Sequence, residues 1–399
     1  MAFATTPEHS SYDVVIIGGA IMGSATAWFL TDAGFDGRVL VIERDPTYAA
    51  CSTAHTNSCI RQQFSTELNV RISQFAAEFI THLPERMGAE APRLSIHNFG
   101  YMYLAGSEAA AATLRANLAV QHACGAATQL LDPDQIRAAY PFYRVDDIVL
   151  GAINTVNEGY WDGAAVFDAF RREARAGGVE YIKGEVAALD VAAGRVQHVV
   201  LADGTRIGCG QVVNAAGPRA ARVAAMAGID LPVEPRKRYT WVFKAERPLD
   251  RDLPLTIDPS GVHVREVGGG TYQAGGHPDH DPAVAPDDFG MDQGFWQDHV
   301  WPTLAARIPA FEAVKVTAEW AGHYAMNTLD HNAVLGPHPD IRNFHFQNGF
   351  SGHGLQQSPA MGRGTAEWLM HGRYETLDLR PFHYDRIAAQ RPILETAVI

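Results

Sequence analysis

Apolar positions along this chain follow two periods, and the switches between them outline its elements. Residues 14–17 are wholly apolar and β-branched, the pattern of a strand buried on both faces. Ala25, Ala27, Trp28, Phe29 and Leu30 then mark a helical stretch that closes at Gly34, and a second apolar strand, 39–42, ends at Glu43. Leu68, Ile72, Phe75, Phe79 and Leu83 recur at helical spacing and predict an amphipathic helix over 67–83. A further helix is expected over 108–124, ending at Gly125. Asp162 caps a helix that runs to 176 and stops at Gly177-Gly178. Residues 186–213 alternate, with a hairpin signal at Ala202-Asp203-Gly204-Thr205, and lead into the buried run Val212-Val213-Asn214-Ala215-Ala216-Gly217. The stretch 239–276 reads as strands, with turns at Pro259-Ser260-Gly261 and Gly268-Gly269-Gly270. Residues 287–311 read as helix made irregular by Pro302, and 359–372 as the last helix.

The opening strand–helix–strand carries chemistry. Gly18 permits the sharp turn out of the first strand, and Gly23 lets helix and strand approach closely. Glu43 ends the second strand at the spacing of a dinucleotide fingerprint. The helix N-terminus offers unpaired N–H groups and partial positive charge to a pyrophosphate, and Glu43 offers acceptors to ribose hydroxyls. Ala20 replaces the middle glycine of the motif. The plainer alternative is a glycine-containing turn of an ordinary α/β protein. A second glycine-rich run, Asn348-Gly349-Phe350-Ser351-Gly352-His353-Gly354-Leu355, reads as a tight backbone loop against a flat cofactor.

Length and composition narrow the class. The 399 residues, 47% hydrophobic and 19% charged, suit an enzyme of two or three domain-sized units. A net charge of −13 argues against nucleic acid and anionic membrane surfaces as partners. No apolar run reaches the ~18 residues of a membrane-spanning helix, and residues 1–11 lack the features of a secretion signal. Cys51, Cys59, Cys124 and Cys209 show no metal-type spacing, so free thiols in a reducing cytoplasm are expected. The order of elements predicts an α/β architecture. A discontinuous Rossmann-like cofactor domain (1–82, 152–226 and 330–399) would carry a strand-rich α+β substrate domain (83–151 with 227–329).

These motifs resemble the flavin-dependent amine and amino-acid oxidoreductases of the D-amino-acid oxidase and sarcosine oxidase superfamily. They are most similar to a branch near the mitochondrial FAD-dependent oxidoreductase linked to complex I assembly. The likeness rests on residues 15–23 with Glu43, on Ser52-Thr53 through Ile60-Arg61-Gln62-Gln63-Phe64-Ser65, on 213–217 and on 349–360. It implies a glutathione-reductase-type fold holding extended FAD, non-covalently, and oxidation of an amino acid or N-substituted amino acid at its C–N bond. The imine so formed would hydrolyse, and oxygen, a quinone or a carrier protein would take the electrons.

The resemblance also implies residue roles. Gly18, Ala20, Ile21, Met22, Gly23, Glu43 and Arg44 would hold the ADP half, with Val186 at the adenine and Ala216 and Gly217 beside the pyrophosphate. Ser52, Thr53 and His55 would lie along the cofactor, with His55 a candidate for covalent attachment. Gly349, Ser351, Gly352, His353, Gly354, Leu355 and Gln356 would meet the ring. The position of a flavin-linking cysteine in sarcosine oxidase holds His323, that of an oxygen-activating lysine Gln273, and that of a carboxylate-binding lysine Gln356, which leans the reading toward a dehydrogenase. Because an arginine fork binds a carboxylate through two hydrogen bonds, Arg61, Arg238 and Arg265 are the candidate substrate anchors. His277, His323, His353 and Tyr324 are further active-site candidates. A metal site is not expected, since His277 and His280 have no third ligand in view. The alternatives left standing are a 2-hydroxy acid dehydrogenase and a non-catalytic flavoprotein assembly factor.

Overall fold

The computed structural model describes residues 3–397. Two eight-stranded sheets divide the chain. The first is built around β1 (Ser11–Ile17), which pairs in parallel with β2 (Val39–Glu43) on one side and with Arg206–Asn214 on the other. Glu180–Lys183 extends it beyond β2, and Phe344–Asn348 and Val334–Pro337 extend it beyond Arg206–Asn214. The hairpin Val186–Ala192 and Arg195–Leu201 joins Arg206–Asn214 through the expected turn. All five residues of β2 are buried, as its unbroken apolar run requires in a sheet covered on both faces.

The second sheet runs Val314–Asn327, Val233–Ala245, Thr271–Gly276, His263–Gly268, Leu255–Ile257, Tyr101–Ala105, Leu150–Asn154 and Gln129–Leu131. The expected division at 152 falls inside Leu150–Asn154, all of which pairs in this sheet. Strand Val233–Ala245 begins five residues before Arg238.

α1 (Ile21–Asp32) packs between the first sheet and three other helices. Its Trp28 and Phe29 meet Phe79 of Glu67–Thr81 and Phe170 of Gly163–Ala176, and the last two rings stack 5.6 Å apart. Each such buried ring contributes ~1.5–3 kcal/mol. Two helices differ from expectation. The 287–311 segment turns helical only at Gln293, where the Asp292 side chain accepts from Phe295 N, and continues as a π turn before Trp301–Arg307. The last long helix is Gly354–His371, so Pro359 lies inside it rather than at its start. Pro359 has no N–H for the Leu355 carbonyl, and Ser358 Oγ donates to that carbonyl instead, at 2.9 Å. Among the described residues no helix is long and apolar enough to cross a membrane.

Gly362 is the contact point of this helix with α1. A Cβ there would fall 2.6 Å from Ala25 Cβ and 2.8 Å from the Ala25 carbonyl carbon. Gly362→Val should therefore cost about 1–3 kcal/mol through overpacking, read as a lower urea midpoint. An unchanged midpoint would show that the two helices do not meet there.

Candidate functional site

One cleft joins the two ends of the chain. It is lined by Gly18, Ala20, Ile21, Met22, Glu43, Arg44, Ser52, Thr53, His55, Val186, Ala216 and Gly217 from the dinucleotide side, and by Arg61, Arg238, His323, Tyr324, Ser351, Gly352, Gly354, Leu355 and Gln356 from the other. Its floor is the carboxyl end of the parallel strands, where α/β sheets bind ligands.

Gly18 has φ +103°, and a Cβ on Gly23 would sit 2.0 Å from the Gly18 carbonyl oxygen, so both glycines are required by the turn and the close approach. Gly23 thus acts from behind and does not line the cleft. α1 starts at Ala20, which supplies no side-chain cap. The Gly354–His371 helix likewise starts without a side-chain cap, and its first residues also line the cleft. The positive ends of two helices, with first-turn N–H groups that no intrahelical carbonyl accepts, therefore open into the same space, and of these Ile21 N is met by Thr53 Oγ1 at 3.4 Å. Glu43 accepts from Gly19 N at 2.9 Å and from Asp45 N at 2.8 Å, and its burial raises its pKa. Each carboxylate oxygen retains acceptor capacity for a further donor. These uncapped helix starts, the acidic end of β2 and the glycine cradles fit an extended dinucleotide with a flat ring.

The expected site residues divide into those facing the cleft and those supporting it. Gly349 packs on Asn327 and Val233 instead of lining the cleft, with φ +68°. His353 is buried below the cleft surface. Its Nε2 bonds Arg61 Nη2 at 3.0 Å, and its ring meets Phe64 edge-on. Burial, then the neighbouring Arg61 charge, hold its pKa well below the usual histidine value, so it is neutral and can accept from the guanidinium. His277 does not line the cleft, because its Nδ1 is taken by the adjacent Pro278 carbonyl. His55 lines the cleft with Nδ1 on the Cys51 carbonyl at 2.9 Å and its ring stacked on Phe289. His323 also packs against Phe289, ring centres 4.5 Å apart, and its Nε2 bonds the Asp288 carbonyl. Tyr324 lies on Gly352, where a Cβ would strike its ring at 2.4 Å. Cys51 and Cys59 also line the cleft, and burial raises both thiols to about 11, so they stay protonated.

The three arginines have different fates. Arg265 does not reach the cleft; it lies over Tyr160 and donates to Gln273 Oε1 at 2.8 Å. Arg238 lines the cleft with its fork closed on Asp281, Nη1–Oδ1 and Nη2–Oδ2 both 3.0 Å. Arg61 is 4% exposed and has no carboxylate within salt-bridge distance among the described residues. Its Nη2 meets His353 and donates to the Ala397 carbonyl, its Nε reaches Gln63 O, and its plane lies over Phe64. Nη1 has no partner among the described residues.

The structure adds residues that the motifs did not indicate. Gln273 Nε2 donates to Asn57 Oδ1, and Asn57 Nδ2 lies 2.9 Å from His263 Nε2. The Arg265 guanidinium can only donate, so Gln273 accepts from it and the chain of bonds runs from Arg265 to His263. His263 is therefore an acceptor at Nε2, and burial lowers its pKa to about 4. Asn57 and His263 both line the cleft. The alternation of Val262-His263-Val264-Arg265 places His263 and Arg265 on one strand face, which is the signal that could have found them. Glu395, fully buried, accepts from Ser65 N, Ser65 Oγ and Asn69 Nδ2 and ties residues 395–397 beside Arg61.

This fold and cleft define an FAD-type dinucleotide protein whose cleft also carries arginines. The chain belongs to the family of FAD dependent oxidoreductases (DAO), whose model matches residues 13–368, and FAD is its cofactor. It is 39% identical over 432 aligned residues to FAD-dependent oxidoreductase domain-containing protein 1 of Xenopus laevis, spanning 98% of this chain and 85% of that protein. Mitochondrial sarcosine dehydrogenase of Mus musculus is 25% identical over 95% of this chain and 42% of its own length. Among solved structures, L-proline dehydrogenase from P. horikoshii superposes with a TM-score of 0.82 at 25% identity, covering 98% of this chain and 99% of that one.

Glu158 holds the segment that carries Arg61. Its carboxylate accepts from Gln62 N at 2.6 Å and from Gln63 Nε2 and Asn154 Nδ2 at 2.9 Å. Burial raises its pKa from 4.5 to about 8. A raised folded-state pKa stabilises fully below the unfolded value and loses that contribution as pH rises through the folded one. Relative to Glu158→Gln, the wild type should lose stability between about pH 4.5 and 8 and change little above, as measured by calorimetry. Parallel profiles would remove the assignment.

Proposed function

We propose that the protein oxidises the C–N bond of an amino acid or N-substituted amino acid, with Arg61 holding the substrate carboxylate. One observation carries this reading: a buried guanidinium that has, among the described residues, no carboxylate partner and an unclaimed Nη1 lines the same cleft as the dinucleotide fingerprint. Burying an unpaired cation is costly, and an anionic ligand supplies the missing partner. Sarcosine and L-proline, named for two of its relatives, are amino acids with one carboxylate, which supports the same class.

Bound FAD supplies the acceptor for the hydride that leaves carbon as the C–N bond is oxidised. The chain positions and encloses the substrate. Arg61 fixes the carboxylate end, neutral His353 and the Ala397 carbonyl keep the guanidinium in place, and Phe64 packs on its face. Such fixation lowers the entropic part of the barrier. The two uncapped helix starts favour negative charge in the cleft, and so favour the reduced cofactor. Arg238 enters this reading only as a neutralised pair with Asp281.

Two measurements test the proposal. Anaerobic mixing of the holoenzyme with a panel of D- and L-amino acids, N-alkyl glycines and 2-hydroxy acids should bleach the flavin with at least one amine. Bleaching by hydroxy acids alone would replace the reading with the alternative chemistry. Arg61→Leu should raise KM for the amine substrate by about 10–100-fold, the value of a lost charge-assisted contact, with FAD retained. Loss of flavin with unchanged KM after reconstitution would refute the role of Arg61.

A further inference from the structure

The cleft contains a second arginine, Arg238, packed on Tyr324. Arg238 Cζ lies 4.5 Å from the centre of the Tyr324 ring, and Tyr324 rests on Gly352, the neighbour of the His353 that holds Arg61. Arg238 is 8% exposed. Its Nη1 also donates to the Lys237 carbonyl at 2.6 Å, while Nε is buried with no partner. Asp281 thus occupies the fork in the bidentate geometry that a ligand carboxylate would adopt.

Strand register explains how Asp281 comes to be there. Tyr239 pairs with Gly276 at the end of the Thr271–Gly276 strand, and Arg236 pairs again with Ala283. The chain therefore spends 277–282 opposite only Lys237 and Arg238, and the surplus bulges out carrying Asp281 to the guanidinium. Val284 N, bonded to Pro235 O at 2.9 Å, fixes the far end of the bulge. The acid is presented by an anchored backbone and is not a chance surface partner.

We propose that Asp281 is a specificity-determining residue: by masking Arg238 it leaves Arg61 as the cleft's carboxylate anchor and selects substrates with one carboxylate over those with two. This rests on the reading of Arg61 given above. A second carboxylate entering the chamber meets an arginine already neutralised and the negative charge of Asp281 itself, a repulsive element of the kind that sets specificity. With Asp281 neutralised, Arg238 becomes a second anchor.

The test uses two unreactive acids that lack a C–N bond, methoxyacetate with one carboxylate and oxydiacetate with two. Their dissociation constants on the holoenzyme are read from perturbation of the bound flavin spectrum. The wild type should prefer methoxyacetate. Asp281→Asn and Asp281→Ser should each shift the ratio toward oxydiacetate by about tenfold or more, the value of one charge-assisted contact. Adding Arg238→Met to Asp281→Asn should cancel the shift. Methoxyacetate binding with an unchanged ratio in both single variants overturns the role of Asp281 alone. Failure of methoxyacetate to bind the wild-type holoenzyme overturns it together with the Arg61 anchor.

Discussion

The close approach of two helices at Gly362 and Ala25 is the constraint on which the site depends. α1 comes from the first βαβ unit and the Gly354–His371 helix from the far end of the chain, yet each begins at the same cleft without a side-chain cap. Their contact permits no Cβ at Gly362, so the spacing of the two N-termini is set by backbone packing. The positive ends of both helices are thereby aimed into one space, which favours an anionic ligand. A dinucleotide cofactor meets that demand.

A second electrostatic arrangement lies beside the first. Arg61 is surrounded by Phe64, His353 and a backbone carbonyl, none of which carries a compensating charge. The chain keeps this cation in place through two buried acids that do not touch it. Glu158 binds the following residues Gln62 and Gln63, and Glu395 binds Ser65 and Asn69 while holding residues 395–397. Among the described residues the charge is held but meets no carboxylate within salt-bridge distance, unlike a structural ion pair. Arg307 shows the contrast, with both Asp147 and Asp258 on its guanidinium.

The local parts of this design were legible in the sequence. The unbroken apolar runs of β1 and β2 require a covered parallel sheet. Gly18 and Gly23 sit where a turn and a helix–strand contact demand them, and Glu43 closes the unit. Asp162 caps its helix as its position before the periodic run implies. These features depend on neighbours within a few residues or on one repeating period, and both are written in the order of side chains. The start of the last long helix was not legible in the same way, because Pro359 normally signals a first turn and here the Ser358 hydroxyl takes over the carbonyl it leaves free.

Which charge meets which was decided only in three dimensions. Arg61, Arg238 and Arg265 are equivalent by type and by their placement near apolar strands. Among the described residues the fold gives the first no carboxylate, closes the second on Asp281, and turns the third to Gln273. In the same way His263 faces the cleft where His277 does not, and His353 supports Arg61 from below. Strand register and loop length place these partners tens to hundreds of positions apart in the chain. By itself the sequence determined the cofactor-binding unit and the class of chemistry, because those rest on backbone geometry and short-range periodicity. The tertiary structure alone decided which arginine meets a carboxylate among the described residues, because a charge is paired according to what long-range packing brings within a few ångströms of it.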